Sequence, residues 1–154
     1  MSQDTYLSKL ESAHDIEVFG EALYTSIARL TRDPRWREVW VTLAKLETQT
    51  KERLADRLRP EKAVREKPYR RWMGRVLGFA AAVAPRSWLL RVMVSETADY
   101  IKLFEELRAV APPEDAALVD YIVAHEEAQA VFAREALAGA SATFLAPVEA
   151  LLER

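Results

Sequence analysis

The sequence lacks cysteine altogether and contains only two histidines and four glycines among its 154 residues. The absence of cysteine excludes disulfides, zinc–thiolate sites, iron–sulfur clusters and thiol nucleophiles. The scarcity of glycine, together with a hydrophobic content of 50%, favours helices over a sheet. A formal net charge of −2 argues against a protein whose whole surface binds polyanions.

Long apolar runs are also missing from the chain. No stretch approaches the roughly 20 uninterrupted apolar residues that a bilayer-spanning helix requires. Residues 1–5 lack the basic start and the apolar run of a signal peptide. We therefore expect a cytoplasmic protein that is at most peripheral to the inner face of a membrane.

Helical periodicity dominates what is present. Apolar residues recur every three or four positions, and Pro34, Pro60 and Pro85 punctuate the pattern. The pattern predicts one all-α domain over residues 1–154. The predicted helices cover residues 4–31, 34–58, 86–111 and 114–138, a crossover covers 59–85, and a short closing helix covers 145–153. Short connections within each pair of helices, and a long crossover between the pairs, predict a four-helix bundle of two antiparallel hairpins.

Four acidic positions fall in phase with the apolar residues of these helices: Glu17, Glu47, Glu96 and one of the adjacent pair Glu126 and Glu127. That last choice stays open, because a shift of one residue exchanges the two side chains. Glu17 also has an alternative, because the first helix admits a second, equally regular stripe through Ile16 and Leu23. An acid within an apolar stripe is costly unless it is neutralised or paired, and four carboxylates close together need a counter-cation. The pattern predicts a metal site in the bundle core; the alternative is a solvated face with ion pairs to neighbouring arginines.

The stretches that carry these acids are residues 14–24, 43–50, 94–96 and 125–130. In order and spacing they resemble the ferritin-like superfamily, particularly rubrerythrin-type domains and demethoxyubiquinone hydroxylases. The resemblance implies a bundle that binds iron or manganese through these acids and the histidines of two Glu-x-x-His motifs. Here Thr50 replaces one histidine, and Gln129 or Ala130 replaces the other. Such an all-oxygen site suits hard ions such as manganese, magnesium or calcium.

Further residues are expected around the carboxylates. These are Thr50, Gln129, Tyr24, Tyr100, His14 and His125. His14 precedes Glu17 by one helical turn and is expected to be a partly exposed histidine near a helix start, with a shared face as the alternative. His125 becomes a ligand if the last long helix turns that side chain inward.

The crossover combines basic, aromatic and apolar residues. Residues 59–75 contain seven basic and two acidic residues, a local net charge of +5. The surface expected there is formed by Tyr69, Arg70, Arg71, Trp72 and Phe79. Cations and aromatic residues that lead into an apolar helix are typical of an in-plane membrane segment; packing on the bundle and homodimerisation are the alternatives. Nucleic acid is not expected as a partner, because the patch is small and the remaining chain is acidic.

Two functions follow from these patterns. The first is a di-metal oxidoreductase of ferritin-like type, with iron or manganese bound and with a hydrophobic molecule such as a quinone or a lipid as its substrate or ligand. The second is a metal-free ferritin-like pseudoenzyme that serves as a binding or assembly module, at a membrane surface or in a homodimer. The in-phase acids favour the first function, and the missing histidines favour the second.

Overall fold

The computed structural model describes residues 3–139 and 144–154, and every regular element in these ranges is helical. The helices are α1 (Gln3–Leu30), α2 (Pro34–Leu58), α3 (Pro68–Val83), α4 (Arg86–Arg108), α5 (Ala116–Leu137) and α6 (Ala146–Leu152), with a 3₁₀ turn at Pro113–Asp115. The all-α class is therefore confirmed. The arrangement of four long helices in one bundle stays a prediction.

Local sequence signals explain where the helices begin and end. Asp33 caps α2, because its side chain accepts hydrogen bonds from two backbone N–H groups of the first turn, and Pro34 occupies the first helical position. α4 ends at Arg108, earlier than predicted, and α5 begins at Ala116, later than predicted. The two successive prolines account for this difference. Pro112 has an extended backbone, with φ −64° and ψ 151°, and a proline disfavours helix at the residue before it.

The chain divides into two compact units, Met1–Val83 and Ala84–Arg154. In the first unit, α1 packs against both α2 and α3. The α1–α2 pair is an antiparallel hairpin: Tyr24 stacks on Trp40, with ring centroids 6.1 Å apart, and Glu21 accepts a hydrogen bond from the hydroxyl of Thr48 at 2.8 Å. A partner earlier on α1 therefore meets a partner later on α2.

The predicted crossover contains the helix α3, which packs along α1 through two glycines. A Cβ atom on Gly74 would overlap the backbone oxygen of Phe19. One on Gly78 would lie 2.5 Å from the backbone oxygen of Leu23 and 2.7 Å from the Cβ atom of Ser26. Only a residue without a side chain permits two helix backbones to approach so closely. These contacts show that one face of the crossover helix packs on the protein itself.

Ion pairs attach the residues around the start of α3 to α1. They join Lys62 to Glu11, Lys67 to Asp15 and Arg71 to Glu21. The residue numbers of the basic partners and of the acidic partners on α1 rise together. The contacts of Gly74 and Gly78 with α1 continue the same order. The segment from residue 62 to the end of α3 therefore runs parallel to α1.

In the second unit, α4 and α5 pack against each other, and α6 packs against α5. Gly139 follows α5 with φ at 73°, a left-handed conformation that strains residues with a side chain and commonly ends a helix. The rings of Phe132 and Phe144 lie 5.7 Å apart between centroids. Val148 of α6 is fully buried, so the closing helix has an apolar face against its unit.

Candidate metal-binding residues

Two carboxylates are buried on the α1–α2 hairpin. Glu47 of α2 is 4% exposed, and its carboxylate lies against α1 at Gly20. A Cβ atom at position 20 would overlap the carboxylate, so glycine there leaves room for the acid. Glu17, one turn earlier on α1, is fully buried. The role of Gly20 was missed in the sequence, although a glycine in the middle of a helix is a recognised signal of close approach.

His14 also lies within the first unit, one turn before Glu17. It is 3% exposed, so the expectation of a partly exposed histidine is wrong. The reason is that the segment before α3 runs along α1 at this point, with Lys62 paired to Glu11 and Lys67 to Asp15. Burial lowers the pKa of His14, although the carboxylate of Asp15 acts in the opposite direction. The imidazole is therefore neutral near pH 7, with a nitrogen lone pair that can accept a hydrogen bond or bind a metal ion.

Thr50 and Tyr24 are buried as well, but part of their bonding capacity serves the helices. The hydroxyl of Thr50 donates a hydrogen bond to the backbone oxygen of Leu46 at 3.0 Å. Its oxygen retains acceptor capacity, which suits a weak ligand or a neighbour of one. The ring of Tyr24 lies flat against Trp40, with 11° between the ring planes.

In the second unit, α5 turns three polar side chains inward: His125, Glu126 and Gln129 are 1%, 4% and 4% exposed. Glu127 is exposed, so Glu126 is the buried member of the adjacent pair. The side-chain amide of Gln129 lies 2.5 Å from Nε2 of His125. The two side chains are therefore hydrogen-bonded partners on α5, one turn apart.

The inward orientation expected for Glu96 is wrong, because this residue of α4 is exposed. Thr97 takes the buried position and donates a hydrogen bond to the backbone oxygen of Met93 at 2.7 Å. The sequence prediction placed the next buried residue three positions after Met93, whereas in the structure the next buried residue lies four positions after it. Both steps are compatible with a helical face. Tyr100, one turn further, is half-buried.

Glu17 of the first unit, and His125 and Glu126 of the second unit, are each buried, and each offers an atom that can bind a metal ion. This set contains one imidazole and two carboxylates, and Glu47 adds another buried acid. It differs from the all-oxygen set expected from the sequence, because His125 faces inward. Mixed nitrogen and oxygen ligands suit first-row transition metals, whereas oxygen alone suits magnesium or calcium.

The acids and cations of the first unit also form a second, part-buried cluster. Lys51 bonds to Glu21 at 2.8 Å and to Glu66 at 3.0 Å, and Arg71 pairs with the same two acids. Burial acts to raise the pKa of Glu21, but hydrogen bonds from Lys51 and Thr48 outweigh it and hold the pKa below its ordinary value. The cluster is therefore fully ionised near pH 7. Its partners are far apart in the sequence, so periodicity alone could not reveal it.

The residues predicted to form the crossover surface all lie in α3. Tyr69, Trp72 and Phe79 are exposed, whereas Arg70 and Arg71 are half-buried. The guanidinium of Arg70 lies over the ring of Tyr69, 5.4 Å from its centroid. No helix in the described part of the chain combines the length and the apolar character needed to cross a bilayer.

Comparison of this chain with models of protein families, with curated proteins and with solved structures finds no match.

Proposed function

We propose that this protein binds a metal ion through buried carboxylates and one imidazole, with Glu17, His125 and Glu126 as ligands and Glu47 as a further acid. The burial of each of these ionisable side chains is the observation that carries the proposal. A buried carboxylate is costly unless its charge is compensated. A divalent cation would compensate two acids at once and would take an imidazole nitrogen as a further ligand.

Manganese and ferrous iron are the ions that this ligand set favours. Carboxylates suit manganese, and imidazole suits iron. Gln129 contacts the imidazole of His125, and a hydrogen-bonded neighbour of this kind commonly orients a ligating histidine. In the proposed metal-bound state, one ring nitrogen of His125 would bind the metal and the other nitrogen would carry the proton.

The reaction belongs to the same proposal. A ferritin-like protein with bound iron would act on or bind a hydrophobic molecule such as a quinone or a lipid. The competing function is a metal-free binding or assembly module on the same scaffold. One observation favours it: Gln129 already occupies Nε2 of His125.

Metal content separates the two functions. The full chain, purified without chelators, is analysed for iron, manganese and zinc beside the variants Glu126→Gln and Glu127→Gln. The adjacent acids differ in burial, so we expect stoichiometric metal in the wild type and in Glu127→Gln and its loss in Glu126→Gln. Glu17→Gln should lose metal as Glu126→Gln does.

A titration tests the same site without relying on retention during purification. Added Mn²⁺ should raise the free energy of unfolding of the apoprotein by about 2.7 kcal/mol at a hundredfold excess over Kd. The gain should vanish in Glu126→Gln and persist in Glu127→Gln. Two results would contradict metal binding and favour the binding or assembly module. They are a metal-free protein whose free energy of unfolding does not change with Mn²⁺ or Fe²⁺, and a Glu126→Gln variant that is more stable than the wild type.

A further inference from the structure

Helix α3 has an unusual distribution of side chains. Its inner face approaches α1 through Gly74 and Gly78, the two positions of the helix that are buried. At 100° per residue, the positions opposite these glycines are 69, 72, 76, 79 and 83. They carry Tyr69, Trp72, Val76, Phe79 and Val83, which are 51%, 63%, 44%, 43% and 81% exposed. A helix on the surface of a soluble protein normally turns polar side chains outward, and this one turns its most apolar face outward.

The charges around this face are of one sign. Residues 68–83 contain no acid, and three arginines lie in the helix. Ion pairs within the first unit neutralise much of the +5 that the sequence concentrates in residues 59–75. The neutralised cations are Arg59, Lys62, Lys67 and Arg71. Arg65, Arg70 and Arg75 make no ion pair with any residue in the described ranges. Arg65, just before α3, and Arg75, within it, are exposed and carry positive charge without a protein counterpart, whereas Arg70 is half-buried one turn before Gly74.

We infer that the outer face of α3 docks in the plane of an anionic lipid bilayer. Apolar side chains would enter the boundary between headgroups and acyl chains, Trp72 and Tyr69 would lie at the headgroup level, and the arginines would meet lipid phosphates. The helix has 16 residues, about 24 Å at 1.5 Å per residue, which suits a helix lying on the surface. This inference goes beyond metal binding and does not depend on it.

A second copy of the chain fits the same face less well. In a two-fold dimer the same patch meets itself, so the exposed Arg75 would lie near its own copy at an interface whose helices contain no acid. Like charges in such a contact are unfavourable. An anionic bilayer supplies the opposite charge along the whole length of the helix.

Vesicle co-sedimentation of the full chain tests the inference. The vesicles are either phosphatidylcholine alone or phosphatidylcholine with phosphatidylglycerol, at low and at high salt. We expect binding to the anionic vesicles that weakens as salt screens the arginines. The double variant Trp72→Ser/Phe79→Ser should lower the partition coefficient by about tenfold or more. Arg75→Gln should lower it about fivefold, the typical contribution of one basic residue at an anionic surface.

Val41→Ser is the matched control, because Val41 is 39% exposed on α2 of the same unit. It should bind anionic vesicles as the wild type does, and circular dichroism should show all variants folded. Equal binding to neutral and anionic vesicles, or equal losses in the control and the double variant, would overturn the inference. So would light scattering that shows a dimer disrupted by Trp72→Ser/Phe79→Ser, without vesicle binding by the wild type.

Discussion

Helix propensity and the close approach of α3 to α1 predict opposite changes in the free energy of unfolding when the glycines of α3 are replaced. Replacing Gly74 and Gly78 by alanine removes two flexible residues from the middle of a helix. Helix propensity alone would then stabilise the protein by about 1 kcal/mol at each site. The structure predicts the opposite, because the new methyl groups meet occupied space. At position 78 the Cβ atom would lie 2.5 Å from the backbone oxygen of Leu23 and 2.7 Å from the Cβ atom of Ser26.

The magnitude depends on which atoms can move. The obstacle at position 78 is backbone, and Gly74 faces the backbone oxygen of Phe19 in the same way, so relief requires the two helices to separate. Overpacking of this kind costs about 1–3 kcal/mol per site. After the gain in helix propensity, we expect the double variant to lose about 2 kcal/mol. For a chain of this size the melting temperature should fall by about 4–8 °C.

Unfolding by heat and by urea, followed by circular dichroism, measures this loss. Ala80 lies on the exposed side of α3, so Ala80→Gly reports the helix propensity of the same helix without a packing change. It should lose about 1 kcal/mol. A double alanine variant more stable than the wild type, by about twice the loss seen in Ala80→Gly, would refute the close approach of α3 to α1.

The remaining predictions concern the charged groups of the first unit. Lys51→Met should destabilise the protein by about 1–3 kcal/mol in urea unfolding, since it leaves Glu21 part-buried without one of its cations; Arg59→Met, at a pair exposed on both sides, should change stability by less than about 0.5 kcal/mol. Burial lowers the pKa of His14 from 6.5, so below about pH 6.5 the unfolded chain binds a proton more readily than the folded protein. Stability should therefore fall with pH below that value in the wild type and fall less steeply in His14→Gln, and identical slopes would contradict the burial of the imidazole.

Periodicity predicted the burial of individual acids well where one helical face is clearly apolar. Glu47 is buried as predicted, because the face of α2 that carries it is regular. Glu96 is exposed, because positions three and four residues after Met93 on α4 both fit a helical face. Thr97 is buried instead, since its hydroxyl donates a hydrogen bond to the backbone. The choice between Glu126 and Glu127 likewise depends on the rotation of α5, which tertiary packing decides.

Features that depend on partners far apart in the chain could not be predicted from the sequence. The sequence gives the net charge of the crossover. Its partial neutralisation by Glu11 and Asp15 could not be predicted, because it depends on the segment that contains α3 lying along α1. The same holds for Gly20, whose importance comes from the Glu47 carboxylate on another helix. Local sequence patterns describe one helix at a time, whereas these features belong to pairs of helices.

The parallel run of the crossover beside α1 has a consequence for the uniqueness of the fold. Part-exposed ion pairs such as Lys62–Glu11 contribute little free energy, yet a slip of α3 by one turn would separate every pair at once. Because Gly74 and Gly78 are one turn apart, the same slip would keep a glycine at one of the two close approaches and bring Arg70 or Ala82 to the other. Two independent sets of contacts therefore specify a single register and penalise its neighbours. Their main contribution is to exclude alternative alignments of an otherwise adaptable apolar helix.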